Sequence, residues 1–417
     1  MIFWKRILTQ SSYIFFINII EKITFFLFFI TIARLNSPYD YGNFIIIGGF
    51  YTILNPFFDI GIRYYLQREA ATENENLKIV VNNFFLFKIL GFLLYQLIGI
   101  VYLINVVKVN LMIVISYGLL QYLLNFSSSL NQLFYGLNEY KRVFNLFFLI
   151  RLFFILFLVI NLFVLQNGYI QNLLTFFLVV ALLQLTGQFI ILKNYNIYFD
   201  FNDLSFQKMH ALIKNSYMLG ISLVIVFIND KIDIQILNIF ISKEEIGFYS
   251  IAYSYYKFPQ IFSSSVLLPA FSNLSAKFKN AIYDKKEIRN ISLFLLLIAM
   301  GVIIFYLLFS DYFINFIYGE KYNDASRYLK ILSVGIIFYF FNNFTGIILN
   351  SMHKEKIAAI SITYVMTINI TLNFILLAIY KSVYIAIFLS IFSEMFLFLY
   401  QFIKLNKEIK KLNYEKA

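Results

Sequence analysis

The chain has 417 residues, of which 61% are hydrophobic and 20% aromatic but only 13% charged, where a soluble domain is roughly half apolar and a quarter charged. No water-soluble fold of this length has interior enough to hide so much apolar surface, which excludes a soluble enzyme or binding module. It has no cysteine, and its two histidines are His210 and His353; disulfides, thiolate chemistry and a cysteine or histidine metal site therefore drop out. The net charge of +12 comes from lysines and arginines scattered through short loops, a pattern of positive-inside orientation rather than of nucleic-acid binding.

Apolar runs lie near 11–33, 43–62, 79–104, 111–133, 143–164 and 170–192, then near 213–239, 247–270, 291–310, 327–350, 357–379 and 382–403. Each approaches the ~20 residues that cross a bilayer. The expected fold is all-α and integral to the membrane, with about twelve transmembrane helices. No small-residue cleavage site follows the first run, which reads as a retained helix rather than a signal peptide. With the N-terminus inside, only Arg34, Lys108, Lys243, Lys321, Arg327, Lys330 and Lys381 fall in outside loops, and the remaining loop lysines and arginines fall inside. That asymmetry predicts both termini in the cytoplasm of a multi-pass protein. The longest loops are expected at 193–212, 271–290 and 311–326, too short for a folded catalytic domain, so no enzyme and no catalytic residue is expected.

Two stretches share one pattern. Ser37-Pro38-Tyr39-Asp40-Tyr41-Gly42-Asn43-Phe44 precedes the second run, and Ser242-Lys243-Glu244-Glu245-Ile246-Gly247-Phe248-Tyr249 precedes the eighth. Serine caps the following helix, and a carboxylate three residues on closes a capping box at its positive end. The ends of the fourth and tenth runs also correspond, at Gly136-Leu137-Asn138-Glu139 and Ser351-Met352-His353-Lys354. The chain thus reads as two pseudo-symmetric six-helix lobes, 1–195 and 213–417, joined by a cytoplasmic linker at 196–212, around a central cavity. Because six is even, the repeat is parallel, about an axis along the membrane normal.

Ionised groups at mid-bilayer cost roughly 2.5–3.5 kcal/mol each and seldom face lipid. Here they are Glu21 and Lys22 in the first run, Lys88 in the third, Arg151 in the fifth, Asp230, Lys231 and Asp233 in the seventh, Lys257 in the eighth and Glu394 in the twelfth. Glu21–Lys22 and Asp230–Lys231–Asp233 read as neighbouring ion pairs, whereas Lys88, Arg151 and Lys257 have no acid within a helical turn. Such an interior suits an anionic guest. Polar stripes at Gln121, Asn125, Ser128 and Gln132, and at Tyr253, Lys257, Gln260 and Ser264, point into the protein by their helical spacing. Pro56, Pro259 and Pro269 stand within or at the ends of runs, where helices break.

Ala33-Arg34-Leu35-Asn36-Ser37-Pro38-Tyr39-Asp40-Tyr41-Gly42, then Asp59-Ile60-Gly61 with Arg68-Glu69, Lys231-Ile232-Asp233, Glu245-Ile246-Gly247-Phe248-Tyr249, Pro269-Ala270-Phe271 and Phe316-Ile317-Tyr318-Gly319 occur in an order that resembles bacterial Wzx-type polysaccharide flippases of the multidrug/oligosaccharidyl-lipid/polysaccharide exporter superfamily. The family usually has arginine where this chain has Lys231, which keeps the charge and loses the two-point geometry. The resemblance implies transfer of undecaprenyl-pyrophosphate-linked glycan from the cytoplasmic to the periplasmic leaflet of the bacterial inner membrane, for O-antigen (lipopolysaccharide) or capsule assembly. It further implies membrane lipids, a polysaccharide polymerase and a chain-length regulator as partners. On that reading Lys22, Lys88, Arg151, Lys231 and Lys257 bind substrate, and Glu21, Asp230 and Asp233 are candidates for proton or sodium coupling, with no other cofactor. The alternatives are a drug or metabolite exporter of the same superfamily and, less well matched, a membrane polysaccharide polymerase.

Overall fold

A backbone in hydrocarbon must satisfy its own polar groups, which an apolar chain does by helix. The computed structural model describes residues 2–72, 76–279 and 285–414, which hold no β-strand and are almost wholly helical. Eight helices are long and apolar enough to cross a membrane. They are α1 (Ile2–Leu35), α4 (Leu77–Tyr102), α5 (Leu111–Gly136), α6 (Tyr140–Ile160), α7 (Ile170–Lys193), α11 (Lys285–Tyr318), α14 (Glu355–Tyr380) and α15 (Val383–Tyr414). Two bent pairs bring the number to ten: α2 (Pro38–Leu54) with α3 (Ile62–Ala71), bent by 45°, and α12 (Asn323–Ser333) with α13 (Ile336–Ser351), bent by 49°. The expected seventh run is α8 (Phe206–Phe240), and the eighth is α9 (Lys243–Lys257) with α10 (Gln260–Lys279), parted at Phe258-Pro259. Counting each broken pair once, the helices follow the expected runs in order. Outward-facing leucines and phenylalanines such as Leu93, Leu149, Phe163, Leu297 and Leu308 are more than half exposed, the inverse of a soluble surface and a fit to lipid.

The expected loops at 271–290 and 311–326 are shorter than the charge pattern suggested. Helix α10 runs to Lys279, α11 spans Lys285–Tyr318, and α12 begins at Asn323. Among the described residues the charges of these two segments lie on helices and a 3-10 turn rather than in coil. Lys277 pairs with Glu287, and Asp311 takes Lys330 at 2.5 Å and the Ser326 hydroxyl at 2.5 Å.

The chain forms two compact units, Met1–Ser37 with Asn43–Gln235, and Pro38–Gly42 with Ile236–Ala417. The division falls inside α8 and not at 196–212, because that segment is stitched to the start of α4. Lys78 Nζ lies 2.9 Å from Asp200 and 3.2 Å from Asp203. Asn82 Nδ2 donates to Asp203 at 3.0 Å while its carbonyl accepts the Asp200 N–H, and Asn83 bridges the Asp203 carbonyl and the Ser205 N–H.

In the first unit α3 and α7 pack on α5, and α1 on α6. Gly136 sets the α3 contact: a Cβ there would meet the Gln67 carbonyl oxygen at 2.4 Å. In the second unit α13 and α14 pack on α15, and α12 on α9 and α11.

Local geometry repeats between the units at the ends of α5 and α13, and of the two predicted serine caps the one at Ser242 is made. Ser242 caps α9, its Oγ accepting from the Glu245 N–H at 3.3 Å. Helix α5 ends with Leu137, Asn138 and Glu139 donating to the carbonyls of Leu133, Tyr135 and Phe134; α13 ends with Met352, His353 and Lys354 donating to Ile348, Asn350 and Leu349. These are the same register of C-terminal bonds. Asn138 (φ 63°) and His353 (φ 57°) hold the same left-handed position, a helix stop usually given to glycine.

The hydrogen bond from Lys78 holds the Asp200 carboxyl below its ordinary value. A depressed carboxylate contributes stability at neutral pH that is lost as pH falls through its lowered pKa. Protease cleavage in 196–205 is therefore expected to rise on acidification into the carboxylate range, and Asp200→Asn to show the raised cleavage already at pH 7. Equal cleavage of the variant and the parent protein at neutral pH would contradict the clamp.

Candidate functional site

Span two breaks at depth. Pro56 lacks a backbone N–H, so the helix tightens into a 3-10 turn over Asn55–Phe58. The N–H groups of Asp59 and Ile60 both return to the Pro56 carbonyl. Ile60 (φ 46°) and Gly61 (φ 71°) then turn left-handed before α3 starts. For a β-branched residue that conformation costs of order 1–3 kcal/mol, so its surroundings must fix it. They do so with charge. Lys88, 1% exposed, donates to the freed Phe58 carbonyl at 3.0 Å and to Asn125 Oδ1 at 2.5 Å. Asp59, fully buried, accepts from Arg63 Nε at 2.5 Å and from the Ser129 hydroxyl at 3.2 Å.

Arg151 on α6 is also 1% exposed. Its guanidinium lies 4.9 Å from the Phe147 ring and 5.0 Å from the Phe177 ring, and its Nε and Nη1 have no hydrogen-bond partner among the described residues. The expected Glu21–Lys22 pair does not form among the described residues, where Glu21 is half-buried. Lys22 is exposed. Asn18, Glu21, Lys22 and Phe25 line a cavity of ≈ 430 Å³.

In the second unit Lys257 is the last residue of α9, and its ammonium finds an acid that the local sequence does not offer. It donates to Glu394 Oε1 on α15 at 3.1 Å and sits 4.3 Å from the Tyr339 ring, with Tyr253 and Tyr256 at 5.4 and 5.5 Å. Asn342 donates to the other Glu394 oxygen at 2.6 Å. The expectation of an uncompensated Lys257 is corrected by this pairing across 137 residues. Lys231 pairs with Asp230 at 3.0 Å, both partly exposed on α8, and Asp233 is half-buried one turn on. Of the five cations predicted to bind substrate, then, Lys88 is committed to a backbone carbonyl and an amide, Lys231 and Lys257 to acids, Lys22 faces outward, and Arg151 keeps unfilled donors.

Two of the four residues of the α5 stripe, Gln121 and Asn125, bond to other elements. Asn125 holds Lys88, and Gln121 bonds Tyr117 and Asn55 at 2.9 and 3.4 Å. A second polar face on α5, with Ser127 and Asn131 bound to Gln184 and Gln188 of α7, had no distinct sequence signal. Of the other stripe, Tyr253 and Lys257 join the cage and Gln260 is exposed; the side chains of Ser264 and Pro269 lie outside the described residues. Asp59 and Arg63 were missed as a pair. Their i, i+4 spacing was a usable signal, obscured by the glycine and proline between and before them.

Lys88→Met is expected to destabilise the protein by about 1–3 kcal/mol, because the Phe58 carbonyl and Asn125 Oδ1 would lose their buried donor, and Asp59 would keep Arg63 but lose the ammonium beside it. Adding Asp59→Asn should recover part of that loss. A double-mutant cycle of unfolding in detergent measures the coupling, and additive effects would show that the two groups do not interact.

Residues 7–275 match the family described as polysaccharide biosynthesis protein, and residues 279–375 match MatE. No curated protein sequence matches the chain. Solved structures share its fold. The inward-facing conformation of a multidrug resistance MATE family transporter of the MOP superfamily superposes with a TM-score of 0.74 at 13% identity, covering 95% of this chain and 96% of that one. Lipid II flippase MurJ in an inward closed conformation gives 0.70 at 16% identity, covering 97% and 90%. An outward-facing MATE transporter gives 0.61 at 13% identity, covering 98% and 96%. Matched over more than half its length by the first of these families, the chain belongs to the polysaccharide biosynthesis proteins.

Proposed function

We propose that this protein flips a lipid-linked oligosaccharide, carrying an undecaprenyl-pyrophosphate-linked glycan from the cytoplasmic to the periplasmic leaflet of a bacterial inner membrane by alternating access. O-antigen or capsule assembly is the pathway class this serves, with a polymerase and a chain-length regulator acting downstream. The observation that carries the reading is Arg151, a buried guanidinium at membrane depth with two donor nitrogens unfilled. An unmet charged donor is costly in a low-dielectric interior, and it is a preformed contact for an anionic group. The lipid tail stays in the bilayer throughout, which spares the cost of hydrating a long hydrocarbon.

On this reading Lys257 exchanges Glu394 for the anionic guest, and Lys22 meets it at the surface of α1. Lys88 and Lys231 act through the groups they hold. Glu21, Asp230 and Asp233 remain the candidates for coupling to a proton or sodium gradient, and both termini lie in the cytoplasm. The family match to polysaccharide biosynthesis and the likeness to a lipid II flippase support the substrate class.

Export of a drug or metabolite is the second reading. It is favoured by one observation besides the MATE likeness: Tyr253, Tyr256, Tyr339 and Glu394 form a cage around an ammonium, chemistry that would also hold a cationic drug.

Arg151→Ala and Lys257→Ala are each expected to abolish surface glycan in the producing bacterium while leaving membrane-inserted protein and drug susceptibility unchanged. Normal glycan in both variants would refute the flippase reading, and raised drug susceptibility with normal glycan would favour export.

A further inference from the structure

The segment between α7 and α8 carries an apolar surface that transport itself does not use. Tyr198, Phe199, Phe201 and Phe206 are all exposed, and Phe201, at 78%, is the most exposed large apolar side chain among the described residues. Bare rings so close together are costly in water.

Their exposure is set by the polar groups between them. Asp200 and Asp203 turn the other way: both meet Lys78 Nζ, at 2.9 and 3.2 Å, and Asp203 also accepts from Asn82 at 3.0 Å. The same ammonium lies 4.2 Å from the Tyr198 ring. The acids are thus fastened to α4, and the rings are left on the outer side.

This surface continues the one that meets lipid. Ring follows ring from Phe189 on α7 to Phe85 at 5.5 Å, then to Phe199 at 6.3 Å and to Phe201 at 5.0 Å. Phe189 and its neighbour Ile190 are exposed on α7, and on α8 Lys214, Tyr217, Ile221 and Ile225 form an exposed stripe at helical spacing. Both helices turn basic as they approach the segment, at Lys193 and Lys214, and Lys208 is exposed between them. An apolar surface that grades into lysines is the profile of a bilayer boundary, where rings sit among headgroups and ammonium groups reach phosphate. A face for docking another protein needs no such continuity with the lipid-facing helices.

We infer that residues 198–206 are an interfacial membrane anchor. Phe201 and the rings beside it enter the boundary between headgroups and acyl chains, Lys193, Lys208 and Lys214 meet anionic headgroups, and the Lys78 clamp holds the acids off that face. The partner is a negatively charged lipid surface, whatever the protein carries.

Tryptophan fluorescence in liposomes tests the anchor, since the chain's one tryptophan is Trp4. In full-length protein carrying Trp4→Phe and Phe201→Trp, emission is expected to be blue-shifted, quenched by brominated phospholipid and shielded from acrylamide. Quenching by acrylamide and not by bromolipid puts the ring in water and overturns the anchor; shielding of that ring in native membranes would then assign the surface to a protein. Adding phosphatidylglycerol to phosphatidylcholine liposomes should raise bromolipid quenching about twofold, and salt should remove the gain. Equal quenching in both lipids overturns the role of the lysines. Asp200→Asn with Asp203→Asn should redden the emission and lower the quenching, and an unchanged signal overturns the part given to the clamp. Should Phe201→Trp fail to fold, Phe206→Trp on the same background reads the same boundary, with the same outcomes.

Discussion

An ionised side chain inside a bilayer must bring its own solvent, and in the first unit the broken second span supplies it. Once Pro56 interrupts the ladder, the Phe58 carbonyl has no helical partner, and the Lys88 ammonium has no water. Each satisfies the other at 3.0 Å. The same break turns Asp59 inward, where Arg63 and Ser129 hold it. Remove either half of this arrangement and the remainder is an uncompensated buried group, costlier than the pair. The left-handed Ile60 is tolerated for the same reason: the polar contacts on both sides fix a backbone that isoleucine would not choose. The bend of span two, the docking of α3 against Gly136 of α5 and the orientation of Arg63 all follow from that one exchange.

The second unit meets the same requirement by other means. Its eighth span is interrupted by Pro259, and the lysine just before the interruption, Lys257, turns to a carboxylate of α15 and to three tyrosine rings. A lysine is thus placed near a proline break in each unit, with Asn125 accepting from Lys88 in one and Asn342 donating to the acid in the other. The halves repeat in their helix stops and in the layout of their second helices, and diverge in how they compensate charge. Where cation and acid are matched, as at Lys257–Glu394, the pair is neutral and holds helices together. Where they are not, as at Arg151, donors are left over. That difference concentrates unfilled positive charge in the first unit.

Much of this was legible in the residues alone. Hydropathy fixes an all-helical membrane protein and the order of its spans, because the length needed to cross hydrocarbon and the need to satisfy backbone there are properties of any chain. The Ser242 cap was equally legible, being local to a few residues. Which charges pair was not. Lys257 and Glu394 are 137 residues apart, and the Phe58 carbonyl that Lys88 meets stands 30 residues before it. The packing that ties 196–205 to α4, and so moves the division of the chain into α8, was hidden likewise. Side-chain direction on a helix and the neighbour it meets depend on how the helices pack, and only the tertiary structure decides that.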